Sequence, residues 1–220
     1  MANKLEGKGL IFSPDFITIQ DTIGIIKKCR NYFSAVKVGN IMLYREGIDV
    51  IQRLKDASDL PVICDFKIMD IPDVAEELIG IGAETGMDGA MIWGMAGEET
   101  VYRCISSYPY IMIFLLTEYT HSADVIDSTI ADQMARMAVE ARAYGIQAPA
   151  TRPNRIAELR RLVGHDLKII SCGVGYQGAS YGSAIKHGAD FEIIGRAIYR
   201  SDDPVVESKK AHDAILSTMV

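Results

Sequence analysis

The chain has little that would tie it to a metal, a membrane or an oxidising compartment. Its four cysteines, Cys29, Cys64, Cys104 and Cys172, are far apart and form no CxxC pair, so neither a zinc site nor a disulfide framework is expected. The four histidines, His121, His165, His187 and His212, lack metal-ligand spacing and read as solvent-facing. No apolar run reaches the roughly 18 residues that a membrane span needs. The opening MANKLEGKG is too polar for a secretory leader, which points to a reduced, cytoplasmic protein. Positive charge is not in excess either: 23 Lys and Arg against 29 Asp and Glu leave a formal net charge of −6, which argues against a general nucleic-acid binder. Linkers, low-complexity tracts and a second zone of composition are also missing, so residues 1–220 read as one domain.

What is present is alternation. Eight short β-rich runs occur in turn: GLIFS (9–13), AVKVG (35–39), PVICDFK (61–67), GAMIWG (89–94), IMIFLLT (111–117), GIQAPA (145–150), LKIISCG (167–173) and FEIIG (191–195). Helical patterns lie between them, among them 45–57, where Ile48, Ile51 and Leu54 recur at helical spacing, and 129–145. RPNRIAELRRLVG (152–164) carries a proline in its first turn and stops at Gly164. The strands are mostly continuous apolar runs, as parallel strands covered on both sides by helices require. Eight βα units in a row predict an α/β fold, a closed (β/α)8 barrel, with an open doubly wound sheet as the alternative.

Charge sits at the ends of these strands, where such barrels place their chemistry. ICDFKIMDIP (63–72) begins as a buried strand and then carries Asp65, Lys67 and Asp70. Asp15 follows the first strand and Lys37 lies in the second. Residues two apart share a strand face, so Lys37, Asp65 and Lys67 are expected to converge in the barrel mouth, with Asp70 on the loop beyond. Any one of these charges alone would read as part of a structural ion network; together at consecutive strand ends they read as a site.

The second signal lies at the other end of the chain. CGVGYQGASYG (172–182) follows the seventh strand and IIGRAIYRSDDP (193–204) the eighth, the two places where barrels often bind phosphate. Gly173, Gly175 and Gly178 permit close backbone approach, Arg196 adds a guanidinium, and Gln177 offers an amide. A phosphorylated substrate is expected. Met91 and Trp93, at the fourth strand end, read as core or as pocket lining.

Taken together, DFKIMDIP, AVKVG, LLTEYTHS, APATRPNRI, CGVGYQG and IIGRAIY resemble the orotidine 5′-monophosphate decarboxylases of archaeal type, from about Asp15 to beyond Tyr199. The resemblance implies conversion of orotidine 5′-phosphate to uridine 5′-phosphate and carbon dioxide in pyrimidine synthesis. It also implies a homodimer of (β/α)8 barrels that uses no metal or organic cofactor. By position, Lys67 becomes the proton donor within a charge network of Lys37, Asp65, Lys67 and Asp70, and Asp70 reaches the partner subunit's site. Asp15 and Lys37 hold the ribose, Gln177, Gly195 and Arg196 the phosphate, and Thr120 faces the pyrimidine. The same resemblance extends substrate contact to Phe66, Ile68, Met69, Ile71, Pro72, Asp73 and Val74. In the second loop it adds Cys172, Gly173, Val174, Gly175, Tyr176, Gly178 and Gly182.

Three positions depart from the family pattern: Thr120 stands where serine is common, Val74 where threonine is common, and Cys172 where proline is common. Two alternatives follow. One is a magnesium-dependent 3-keto-gulonate 6-phosphate decarboxylase or hexulose phosphate synthase of the same suprafamily, in which glutamate usually stands where Lys37 does. The other is a non-catalytic nucleotide-binding barrel that has drifted at Val74 and Cys172.

Overall fold

The computed structural model describes residues 4–121 and 126–218. In chain order its first half runs β1 (Gly9–Phe12), α1 (Ile19–Cys29), β2 (Ala35–Gly39), α2 (Asn40–Glu46), α3 (Val50–Ala57), β3 (Val62–Ile68), α4 (Pro72–Glu84), β4 (Gly89–Trp93) and α5 (Glu98–Ser107). The second half runs β5 (Met112–Leu116), α6 (Ser128–Glu140), β6 (Gly145–Pro149), α7 (Pro153–Val163), β7 (Lys168–Cys172), α8 (Ser183–Lys186), β8 (Phe191–Ile194), α9 (Arg196–Tyr199) and α10 (Pro204–Ser217). All eight strands are parallel to their neighbours, and β1 closes the barrel against β8 from Gly9↔Phe191 to Phe12↔Ile194. The open-sheet alternative is thereby excluded.

Alternation along the strands divides the apolar residues into two layers. Leu10, Phe12, Val36, Val38, Val62 and Cys64 belong to the shell shared with the helices. Ile11, Ala35, Ile63, Met91, Trp93, Phe114 and Phe191 form the second cluster, which fills the barrel. Met91 and Trp93 are therefore core; Trp93 stacks obliquely on Tyr119 with ring centroids 4.7 Å apart. Burying a side chain of this size contributes roughly 1.5–3 kcal/mol. On β2 and β3 the same inward parity, continued past Ala35 and Ile63, falls on Lys37 and Asp65. Charge thus replaces apolar filling at the barrel mouth.

Three sequence expectations are corrected. The helix expected over 45–57 is two helices, because Gly47 at φ 76° ends α2 with its N–H on the Leu43 carbonyl and α3 starts only at Val50. The helix expected to 145 starts behind the Asp127 cap and stops at Glu140; a left-handed Arg142 (φ 56°) then turns the chain into β6. His187 and His212 are half-buried rather than solvent-facing, His187 through Nδ1 on the Ser183 carbonyl (2.7 Å) and His212 against the Tyr32 ring. No described helix is long and apolar enough to cross a membrane.

Candidate active site

Four charged side chains join end to end across the mouths of β1, β2 and β3. Lys37 Nζ donates to Asp65 Oδ2 at 2.8 Å and to Asp15 Oδ1 at 3.4 Å, and Lys67 Nζ donates to the other oxygen of Asp65 at 2.8 Å. Ser13 Oγ donates to Asp15 Oδ2 at 2.8 Å and so orients that end of the chain. Register explains the meeting. Asp65 pairs with Gly39 across β2 and β3, which places it diagonal to Lys37 on the same face. A side chain at Gly39 would put its Cβ 2.5 Å from Asp15 Oδ1, so the glycine leaves the gap through which Asp15 reaches Lys37.

The electrostatics follow from burial and pairing. Burial opposes the charge on Lys37, whose side chain is 5% exposed, but Asp65 and Asp15 outweigh it and raise its pKa above the ordinary lysine value. Burial likewise opposes ionisation of Asp65; Lys37 and Lys67 reverse that and hold its carboxyl below the usual range. The Cys172 thiol is pushed up to about 12, first by burial and then by Asp65, and so stays neutral.

Lys67 differs from its partners. Its side chain is 41% exposed, and its backbone is left-handed at φ 50°, where β3 breaks register with β4 between Cys64 and Ile68. A non-glycine residue in this region carries strain of roughly 1–2 kcal/mol. Such strain is characteristic of functional positions, and here it accompanies an amine held against Asp65. A purely structural ion network would be cheaper as apolar packing, which favours the reading of a site.

The glycine-rich segment after β7 and the turn after β8 form the opposite wall. One cleft is lined by Asp15, Lys37 and Asp65 together with Cys172, Gly173, Val174, Tyr176, Gln177, Gly195, Arg196 and Tyr199. Gly175 is left-handed (φ 74°), and a Cβ there would lie 2.8 Å from that of Ala197, so the loop crosses directly over α9. At Gly195 a Cβ would lie 2.3 Å from the Ser13 carbonyl oxygen, which ties this turn to the end of β1. Gly178 N–H returns to the Gly175 carbonyl, and Gly182 N–H is held by the buried Glu192 carboxylate at 2.9 Å. Thr120 Oγ1 accepts from Gln177 Nε2 at 3.2 Å, which links the β5–α6 segment to the loop. That segment is braced from below: Thr151 Oγ1 donates to the Thr120 carbonyl at 2.7 Å, and buried Glu118 is paired with Arg152 at 2.9 Å and with Arg155.

Not every expected residue joins this cleft. Asp70 is exposed, and its carboxylate accepts from the Ile71 N–H at 2.8 Å. Met69, Asp70, Ile71 and Pro72 line a separate surface trough with Met95–Thr100. Asp73 is exposed and pairs with Arg103 at 3.1 Å, Val74 is exposed, Phe66 is half-buried, and Ile68 belongs to the outer core. Conversely, Ser13 and Tyr199 were not anticipated. Tyr199 Oη is buried with no hydrogen-bond partner among the described residues. Its signal was its place one helical turn after Arg196.

The chain matches known proteins along nearly its whole length. Residues 8–211 match the family model for the orotidine 5′-phosphate decarboxylase / HUMPS family. The chain is 35% identical over 207 residues to an orotidine 5′-phosphate decarboxylase of Methanococcoides burtonii, covering 93% of this chain and 95% of that one. It is 36% identical over 200 residues to that of Methanosarcina mazei, covering 89% of each. Among solved structures it resembles the orotidine 5′-monophosphate decarboxylase of Methanocaldococcus jannaschii complexed with the inhibitor BMP. That match has a TM-score of 0.88 at 29% identity and covers 96% of this chain and 99% of that one.

Proposed function

The chain belongs to the orotidine 5′-phosphate decarboxylase / HUMPS family, and from that premise we infer that it converts orotidine 5′-phosphate to uridine 5′-phosphate and carbon dioxide. The observation that carries this reading is Lys67 Nζ, fixed 2.8 Å from an Asp65 carboxylate that lines the same cleft as the phosphate loop. The bond from C6 of the pyrimidine to the carboxylate breaks, and its electron pair stays on C6. Carbon dioxide leaves neutral, and Lys67 first stabilises the carbanion electrostatically and then protonates it. The amine regains its proton from solvent.

Asp65 has a second part. A substrate carboxylate about 4 Å from it, at an effective dielectric near 20, is repelled by roughly 4 kcal/mol. That repulsion vanishes with carbon dioxide and corresponds to about a thousandfold in rate if fully realised. The larger share therefore falls to the preorganised ammonium and to phosphate binding. Asp15 and Lys37 hold the ribose, Thr120 faces the pyrimidine, and Gln177, Gly195 and Arg196 hold the phosphate.

The working unit in this reading is a homodimer of single catalytic domains in the cytoplasm. Supporting it is an exposed apolar stripe, Ile71, Val74, Leu78 and Ile81, at helical spacing on and before α4, flanked by Met69, Met95 and Tyr102. In this reading a second copy covers the stripe, and Asp70, in the trough beside it, reaches the partner's site. The four cysteines are free.

Lys37 favours decarboxylation of the nucleotide over the magnesium-dependent alternative. Its ammonium already occupies Asp15 and Asp65, and a divalent cation there would face a buried positive charge. Ultraviolet absorbance of orotidine 5′-phosphate follows the reaction directly. Turnover is expected to be unchanged by a chelator; absence of turnover, or its loss on chelation, overturns the assignment.

A further inference from the structure

Beside the cleft, on the far side of Tyr176, lies a cation that the assigned residues do not use, Arg200. Arg196 opens α9, and Arg200 follows one turn later, so both guanidiniums lie on one side of the turn. Among the described residues neither forms an ion pair with a carboxylate. Both instead meet the ring of Tyr176, on the β7–α8 loop. The Arg196 Cζ lies 4.0 Å from the ring centroid and the Arg200 Cζ 5.5 Å, with Arg200 Nη1 3.5 Å from the phenol oxygen. Tyr176 is 57% exposed, so burial does little to hold it; the cations do.

Stacking uses the face of a guanidinium and leaves its N–H donors free in the plane. Arg196 can therefore be held by the ring and still present its fork to phosphate oxygens. We propose that Tyr176 is a positioning residue that clasps the β7–α8 loop onto α9 through Arg196 before phosphate arrives, with Arg200 supplying a second positive charge to the same dianion. The inference rests on the phosphate-site reading above. It adds a specificity element for a doubly charged phosphate ester over its uncharged nucleoside.

Titration calorimetry with uridine 5′-phosphate and with uridine tests this on the whole chain. Tyr176→Leu is expected to weaken uridine 5′-phosphate by about two- to fivefold, the range of one exposed cation–π contact, and to leave uridine unaffected. Tyr176→Phe, which keeps the ring, restores most of the affinity. Arg200→Gln weakens the nucleotide and flattens its salt dependence. Unchanged nucleotide affinity in Tyr176→Leu, equal loss for uridine, or a Phe variant as weak as Leu overturns the clasp. If the unmodified protein decarboxylates normally in that case, the assigned reaction stands and only the clasp falls. A protein that neither binds the nucleotide nor turns over overturns both.

Discussion

Lys67→Ala separates the chemistry from the fold. General-acid catalysis contributes on the order of 10²–10⁴-fold, and an electrostatic contact to developing charge about 10²–10³-fold. Losing both lowers kcat by roughly 10⁴–10⁷-fold. Stability responds differently. The Lys67–Asp65 pair is partly exposed and contributes about 1 kcal/mol or less. Asp65 also keeps its 2.8 Å bond to Lys37. The urea midpoint of Lys67→Ala therefore stays close to that of the unmodified protein, and uridine 5′-phosphate still binds. Lys67→Gly tests the backbone. Glycine relieves roughly 1–2 kcal/mol of left-handed strain at φ 50° and adds about 0.4–1 kcal/mol of entropy to the unfolded chain. The glycine variant should thus be more stable than the alanine variant by a net of roughly 0.8 kcal/mol, the middle of a range of about 0–1.6, though both are inactive. Turnover by Lys67→Ala within about tenfold of the unmodified enzyme refutes the donor role. A glycine variant no more stable than alanine refutes the strain argument.

Three further outcomes are expected. Asp65 has a depressed pKa, so the stability it contributes is present above the unfolded value of about 3.9 and lost as pH falls below it, whereas Lys37, with a raised pKa, contributes below about 10.4 and loses that as pH climbs through its folded value. Asp65→Asn leaves buried Lys37 with Asp15 alone, at 3.4 Å, and costs on the order of 3 kcal/mol near neutral pH; a gap in urea midpoint that does not narrow in acid counts against this. Mixing Asp70→Ala subunits with Lys67→Ala subunits should return part of the activity through one intact site per heterodimer, and confirmed heterodimers without recovery dismiss a shared site. Glu192→Ala strands the Gly182 and Ala184 N–H groups, each now 2.9 Å from that carboxylate, and should lower stability by about 1–3 kcal/mol per group; thermal melting checks it, and an unchanged midpoint denies the cap.

Much of this was legible from residue order because the relevant forces are local. Continuous runs such as IMIFLL are too apolar to be anything but buried, and Gly173, Gly175 and Gly178, expected to permit close backbone approach, all adopt positive φ. The expected strand positions agree with the observed ones to within a residue or so at each end. Helix ends were less legible. The Ile48, Ile51 and Leu54 spacing suggested one helix, but Gly47 offers a cap that periodicity does not weigh.

Long-range geometry settled the remainder. Alternation could place Lys37 and Asp65 on inward faces, but only the β2–β3 register brings them within 2.8 Å, and only closure of β1 on β8 sets Ser13 beneath Gly195. Asp70 lies two residues past a strand whose other charges converge, yet it faces a different surface, because the chain turns at the register break around Lys67. The contact of Tyr176 with Arg196 joins the segments that follow two different strands, and no spacing in a linear chain encodes such a contact. Burial and turn preference are properties of neighbouring residues and are therefore written along the chain; meetings between distant side chains depend on how the barrel closes, and exist only once it has.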